Sequence, residues 1–138
     1  MPLTSDQDIA ALLTDTKTIA LVGASDRADR PSYGVMRFLL SKGYRVIPVN
    51  PQLAGQAIHG QPVVATLAEI GEPIDLVDIF RNSAAAGAVI DDAIGAGAKA
   101  VWTQLGVFNE EGVARAEAAG LKAVVNRCPA IEIPRLRL

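Results

Sequence analysis

Ile19-Ala20-Leu21-Val22-Gly23-Ala24-Ser25, then Asp26-Arg27-Ala28-Asp29-Arg30-Pro31, then Ser32-Tyr33-Gly34, is the stretch on which the reading of this chain turns. Four consecutive apolar residues mark a strand buried on both faces. The run stops at Gly-Ala-Ser, a loop of alternating Asp and Arg follows, and an amphipathic pattern begins near Ser32. Val35, Met36, Leu39 and Leu40 fall on one side of that helix, and Gly43 is placed to end it. Small residues between a buried strand and a helix N-terminus let backbone N–H groups approach an anion, and the positive end of the helix supplies the field. The stretch therefore predicts a phosphate-binding turn.

Working outward, Ser5 caps a first helix with Ile9, Leu12 and Leu13 at helical spacing, ending near Thr14. Tyr44 to Asn50 is a second strand closed by the Asn50-Pro51 turn signal. Pro48 within it lacks a ladder donor, which predicts a place near the strand's end or at a bulge, where pairing is failing. Ile58 to Val63 reads as a loop leading into a very short third strand, and Thr66 to Ile70 as a helical turn or two. Ile74 to Phe80 is a fourth strand, and Asn82 or Ser83 caps a helix that turns Val89, Ile90, Ala93 and Ile94 inward. Ala98 to Thr103 is a fifth strand. Asn109-Glu110-Glu111 opens a helix with acids in its first turn, Gly120 ends it, and Leu121 to Val125 is the last strand. The tail from Asn126, with Pro129 and Pro134, is expected to wrap the end of the sheet.

Strand and helix alternate from Ile19 to Val125 without repeats or low-complexity tracts, which predicts one α/β domain over residues 1–138, a doubly wound, mostly parallel sheet with helices on both faces. Right-handed crossovers gather the strand C-termini on one edge, and ligands bind there where the strand order reverses. The residues expected on that edge are Gly23-Ala24-Ser25, Asn50-Pro51, Phe80-Arg81, Thr103-Gln104 and Asn126.

Composition narrows the ligand. A formal charge of −2 over 138 residues and an aromatic content of 4% supply neither the basic field nor the stacking surface for nucleic acid. One Cys and one His do not make a zinc site, and a lone Cys128 suits a reducing compartment. No apolar run reaches the roughly 18 residues of a membrane span, and Met1 to Asp8 lacks the pattern of a signal peptide, so a cytoplasmic location is expected. A dinucleotide fingerprint would set three glycines as G-x-G-x-x-G and end the second strand in an acid that holds a ribose. Here a loop through Arg27 and Arg30 separates Gly23 from Gly34, and Asn50-Pro51 replaces the acid. The exchange favours a ligand richer in phosphate than NAD, with Arg27, Arg30 and Arg81 as neutralising charges. No Walker loop occurs.

Val22-Gly23-Ala24-Ser25, Gly43 to Pro51, Ile58-His59-Gly60, Ile74 to Arg81, Gly97 to Gly106 and Asn126-Arg127-Cys128 together resemble the small stand-alone CoA-binding proteins. These are similar to the N-terminal CoA-binding domain of the succinyl-CoA synthetase alpha subunit. The resemblance covers nearly all of the chain from Ile19 onward and implies a Rossmann-like fold with coenzyme A, free or acylated, across the strand C-termini. It implies that Gly23, Ala24 and Ser25 hold the pyrophosphate, with Arg30 and Ser32 as further phosphate contacts. By the same resemblance Val49, Asn50 and Pro51 line the nucleotide end, Phe80 and Arg81 border the ligand further along, and Gln104 and Asn126 lie toward the pantetheine arm. His59 does not match the phosphorylated histidine of the synthetase, so the resemblance carries over binding and not thioester synthesis. Two alternatives stand beside it: a nicotinamide-nucleotide binder acting as a small oxidoreductase or redox sensor, and the CoA-binding subunit of a split acyl-CoA synthetase.

Several residues have plainer readings. His59 has no evident partner for general-base work. Cys128, beside Arg127 and before Pro129, reads as a packed small apolar residue before it reads as a nucleophile or a partner for the CoA thiol. Asp75 and Asp78 are three apart in a strand and so face opposite ways. Trp102, inside a strand, reads as core.

Overall fold

The computed structural model describes residues 1–138. Helix α1 (Asp6–Asp15) leads into β1 (Thr18–Val22), α2 (Pro31–Ser41) and β2 (Arg45–Val49). A small hairpin of β3 (Ala57–Ile58) and β4 (Gln61–Pro62) follows, then β5 (Leu76–Ile79), α3 (Ser83–Gly95), β6 (Ala100–Thr103), α4 (Glu110–Ala118), β7 (Lys122–Val124) and α5 (Pro129–Arg135). Five strands form one parallel sheet in the order β2-β1-β5-β6-β7. This is the doubly wound α/β, Rossmann-like fold that the alternating pattern predicts. The chain leaves β1 toward β2 on one side and returns to β5 on the other, so strand order reverses between β1 and β5.

Alternation along the interior strands divides the core in two. Ala20, Val22, Val77, Ile79 and Val101 pack beneath α3 and α4, against Val89, Ile90, Val113 and Ala116. Ile19, Leu21, Leu76, Ala100 and Trp102 pack beneath α1, α2 and α5, against Leu13, Met36, Leu39 and Ile133. Ser5 caps α1 as expected, its Oγ accepting from the Asp8 amide at 3.1 Å. Asn82, and not Ser83, caps α3, its Oδ1 accepting from the Ala85 amide at 2.8 Å.

Three expectations need correction. Pro48 lies next to last in β2, near the strand's end as expected, but pairing does not fail there: it sits in register with Leu21 while Val49 pairs with Val22. Proline is accommodated because β2 is the edge strand and the backbone of Pro48 points away from β1, its carbonyl accepting from the Val64 amide at 3.1 Å, while the residue itself is buried. The expected third strand is instead the β3–β4 hairpin, turned by His59 and Gly60 with φ of 49° and 78°. Only a single bridge, Val49 to Val64, joins this region to the main sheet. The tail does not merely wrap the sheet but forms α5, with Pro129 in the first turn, where its missing N–H costs nothing. Glu132 of α5 is buried and bound by Arg127 and Arg135, both at 2.8 Å, and Arg135 also reaches Asp6 at 2.9 Å.

Candidate phosphate-binding edge

Val22 ends β1, and Gly23 must turn the chain while the backbone of the neighbouring strand lies against it. Its φ is +87°, and a Cβ added there would stand 2.2 Å from the Phe80 carbonyl oxygen. The Gly23 and Ala24 amides both donate to the Val49 carbonyl, at 3.0 and 3.3 Å. These two residues therefore give the turn its shape, and their N–H groups are not the free donors expected from the sequence. Ala24 is buried, and its carbonyl accepts from Asn50 Nδ2 at 2.8 Å. Asn50 Oδ1 in turn accepts from the Gln52 amide at 2.9 Å. The side chain that replaces the ribose-binding acid is thus a brace between β2 and the turn after β1. Pro51 opens a short 3-10 turn beside it.

Beyond Ala24 the backbone opens. Ser25 Oγ accepts from the Arg27 amide at 3.1 Å, which folds the loop back toward α2. Helix α2 begins at Pro31 with Arg30 at the N-cap and no side chain capping it. Its first turn therefore keeps an unmet positive end. Ser32 lies within this turn, is 4% exposed and makes no side-chain hydrogen bond. Arg27 is drawn to Asp29 at 3.4 Å, whereas Arg30 and Arg81 are exposed and form no ion pair. The hairpin closes one flank: His59 Nε2 donates to the Tyr33 carbonyl at 2.8 Å, and the two rings lie 4.1 Å apart. That bond makes His59 a strut between the hairpin and α2, in keeping with its plainer reading.

On the far side of the reversal point, Phe80 is half-buried against the core under α2, and Arg81 follows it into solvent. Gln104 is buried at the end of β6, and its Oε1 has no hydrogen-bond partner. Asn126 adopts φ +59°, and its Oδ1 accepts from the Gly106 amide at 2.8 Å. Its own amide donates to Thr103 Oγ1 at 3.2 Å. Asn126 therefore stitches the loop after β6 to the end of β7. Trp102 is fully buried, with Nε1 donating to the Arg127 carbonyl at 2.7 Å. Cys128, which follows Arg127 in sequence, is buried at the N-cap of α5.

The predicted residues thus divide by geometry. Arg30, Ser32 and Arg81 leave polar groups uncommitted along the edge, and Ser25, whose Oγ accepts from the Arg27 amide, keeps its hydroxyl proton to donate. Gly23, Ala24, Asn50 and Asn126 are committed to holding that edge in shape, while Val49 and Pro51 form its β2 end. Asp75, just before β5, and Asp78, inside it, have different surroundings. Asp75 accepts from the Lys17 and Thr18 amides, both at 3.0 Å. Burial works to raise its carboxyl, but those amides and Lys99 outweigh burial and hold it below the usual range. Asp78 has no exposed surface and no partner for either oxygen, and burial pushes its carboxyl well above the usual range. Sequence reading weighed Asp78 only as half of a carboxylate pair; the signal available was an acid inside an otherwise apolar strand. A surface cleft of about 600 Å³, lined in part by Asp75, Lys99 and Lys122, lies at the opposite edge, where the strands begin. No helix is long and apolar enough to cross a membrane.

Comparison with known proteins supplies the family and a shared fold. Residues 17–134 match the family described as CoA binding domain. The chain is 36% identical over 124 residues to the uncharacterized protein YneT of Bacillus subtilis (strain 168), covering 90% of each. A hypothetical protein from Pyrococcus horikoshii OT3 superposes with a TM-score of 0.93 at 38% identity, over 100% of this chain and 97% of that one. The dinucleotide forming acetyl-coenzyme A synthetase 1 of Ca. Korarchaeum cryptofilum, in complex with phosphate and ADP, superposes with a TM-score of 0.71 at 29% identity. That match spans 80% of this chain but 26% of the synthetase. With a family match that runs from the start of β1 almost to the end of α5, this chain belongs to the CoA binding domain family.

Proposed function

We propose that this chain binds coenzyme A or an acyl-CoA along the C-terminal edge of its parallel sheet and carries out no reaction on it. The observation that carries this reading is the start of α2, which no side chain caps, with the little-exposed Ser32 in its first turn and Arg30, in no ion pair, at its N-cap, beside the point where strand order reverses. A helix N-terminus with uncommitted donors and a nearby guanidinium suits a phosphate group. The pyrophosphate lies against Ser25 and the first turn of α2, on a floor shaped by Gly23 and Ala24. Arg30 and Ser32 take further phosphate oxygens. Val49, Asn50 and Pro51 border the nucleotide end, and the arm runs past Phe80 and Arg81 toward Gln104 and Asn126. Membership of the CoA binding domain family supports the same ligand. The synthetase neighbour supports the ligand class alone, since this chain matches about a quarter of it.

Mass spectrometry of small molecules released from the purified protein tests the reading, together with titration of Arg30→Ala. Release of CoA or acyl-CoA is expected, and loss of one exposed charged contact is expected to weaken CoA binding about three- to tenfold. Release of a nicotinamide nucleotide, with no heat on adding CoA, would replace this reading with that of a redox nucleotide binder.

A further inference from the structure

Asp78 stands inside the sheet, in register with Leu21 on one side and Trp102 on the other. It lies on the face covered by α1, α2 and α5, since Leu21 and Trp102 both belong to that half of the core. Neither carboxyl oxygen meets a donor. The buried charged group that those helices bring to this face, Glu132, is already held by Arg127 and Arg135. An unpaired polar group at such a place lowers stability, so packing does not account for it.

A second unpartnered buried atom belongs to Gln104, which follows β6, the strand paired with β5 at Asp78. Phe80 follows Asp78 by two residues and packs on the same face. Thr103 turns the other way, its Oγ1 donating to the carbonyl of Val107, which belongs to the core under α3 and α4. Gln104 therefore returns to the face of Asp78, two residues beyond Trp102. With strands about 4.8 Å apart and a rise of about 3.3 Å per residue, the two backbone positions are about 8 Å apart, a gap that an extended glutamine and an aspartate span between them. One side chain ends in an acceptor that lacks a donor, and the other is a carboxyl that lacks any partner.

We infer that Asp78 is a positioning residue for ligand binding: in the liganded state its carboxyl O–H donates to Gln104 Oε1, which fixes the amide and turns Nε2–H toward a carbonyl acceptor on the ligand. This rests on the CoA reading above, in which the acceptor is an amide carbonyl of the pantetheine arm. Burial without a hydrogen-bond partner pushes the Asp78 carboxyl well above its usual range, toward the protonated form that a donor needs.

The test compares CoA titrations of wild type, Asp78→Leu and Asp78→Asn, with the unfolding midpoint of each. Leucine removes the donor and the desolvated acid together, so Asp78→Leu is expected to unfold at or above the wild-type midpoint and yet bind CoA about tenfold more weakly. Asparagine restores an N–H donor at the same place, so Asp78→Asn is expected to bind within about twofold of wild type. Asp78→Leu binding CoA as wild type does, or Asp78→Asn binding as weakly as Asp78→Leu, would overturn the inference while leaving the CoA reading intact. A wild-type protein that does not bind CoA overturns both.

Discussion

Replacing Gly23 with alanine separates two reasons for a glycine at the turn after β1. The first is conformation: φ of +87° costs a residue with a Cβ about 1–2 kcal/mol. The second is contact: the new methyl group would stand 2.2 Å from the Phe80 carbonyl oxygen and 2.9 Å from its carbon, both backbone atoms of the adjoining strand end. Relief requires β1 and the end of β5 to part, an overpacking cost of about 1–3 kcal/mol. The sum is about 2–5 kcal/mol, a large share of the roughly 5–15 kcal/mol by which a domain is stable. At about 3–4 °C per kcal/mol for a chain of this size, the midpoint of thermal unfolding falls by about 6–20 °C. Gly43→Ala is the control. Gly43 has a similar φ of +93°, but nothing lies within 4 Å of the added carbon, so only the conformational part is lost. Urea denaturation followed by the fluorescence of the single, fully buried Trp102 measures both variants. Gly23→Ala costing no more than Gly43→Ala would refute the close-approach argument.

Three further outcomes follow from the same geometry. Asp78 is raised in the folded state, so the stability it leaves intact while protonated is fully present below its unfolded pKa of about 4 and is lost as pH rises toward its folded value. Denaturation at pH 5 and pH 8 should therefore show wild type losing ground to Asp78→Asn at the higher pH, and an unchanged difference would contradict this. Glu132 runs the opposite way: the Arg135 hydrogen bond, against burial and with help from Arg127, holds its carboxyl below the usual range, so its contribution is present above the unfolded pKa and lost as pH falls through the folded one. Glu132→Ala should cost about 1–3 kcal/mol at pH 7, less than a fully buried pair because both arginines are partly solvated, and less still at pH 3. Asn126→Ala loses the Gly106 hydrogen bond and puts alanine, which tolerates φ +59° less well than asparagine, at that place, a cost of about 1–3 kcal/mol, and Asn126→Gly removes the conformational part; equal midpoints for the two variants would disprove that partition.

Hydrophobic periodicity made the sheet legible because interior parallel strands carry apolar residues on both faces, as Ile19 to Val22 and Ala100 to Trp102 do. The edge was less legible. Pro48 looked like a sign of failing pairs, since a sequence does not say which side of a strand lacks a neighbour. The His59-Gly60 turn was hidden because histidine seldom adopts positive φ, and here a bond to the Tyr33 carbonyl helps to hold it there. The Gly-Ala-Ser turn was found from its residues, but the destination of its donors was not. The Gly23 and Ala24 amides go to Val49, a partner that only the fold brings near. Asn50 was read by what it replaces, whereas its brace to Ala24 depends on β2 lying beside β1. Glu132 carried no sequence signal of burial, because its two arginines become its neighbours only when α5 forms.

The central claim is that the edge beside α2 takes a ligand with more phosphate than a nicotinamide dinucleotide carries. Isothermal titration of the wild-type protein with CoA, dephospho-CoA and NAD tests it most directly. Saturable binding of CoA is predicted, with dephospho-CoA about tenfold weaker for want of one charge-assisted contact and NAD weaker again. Equal affinity for CoA and dephospho-CoA, or tighter binding of NAD than of either, would contradict it.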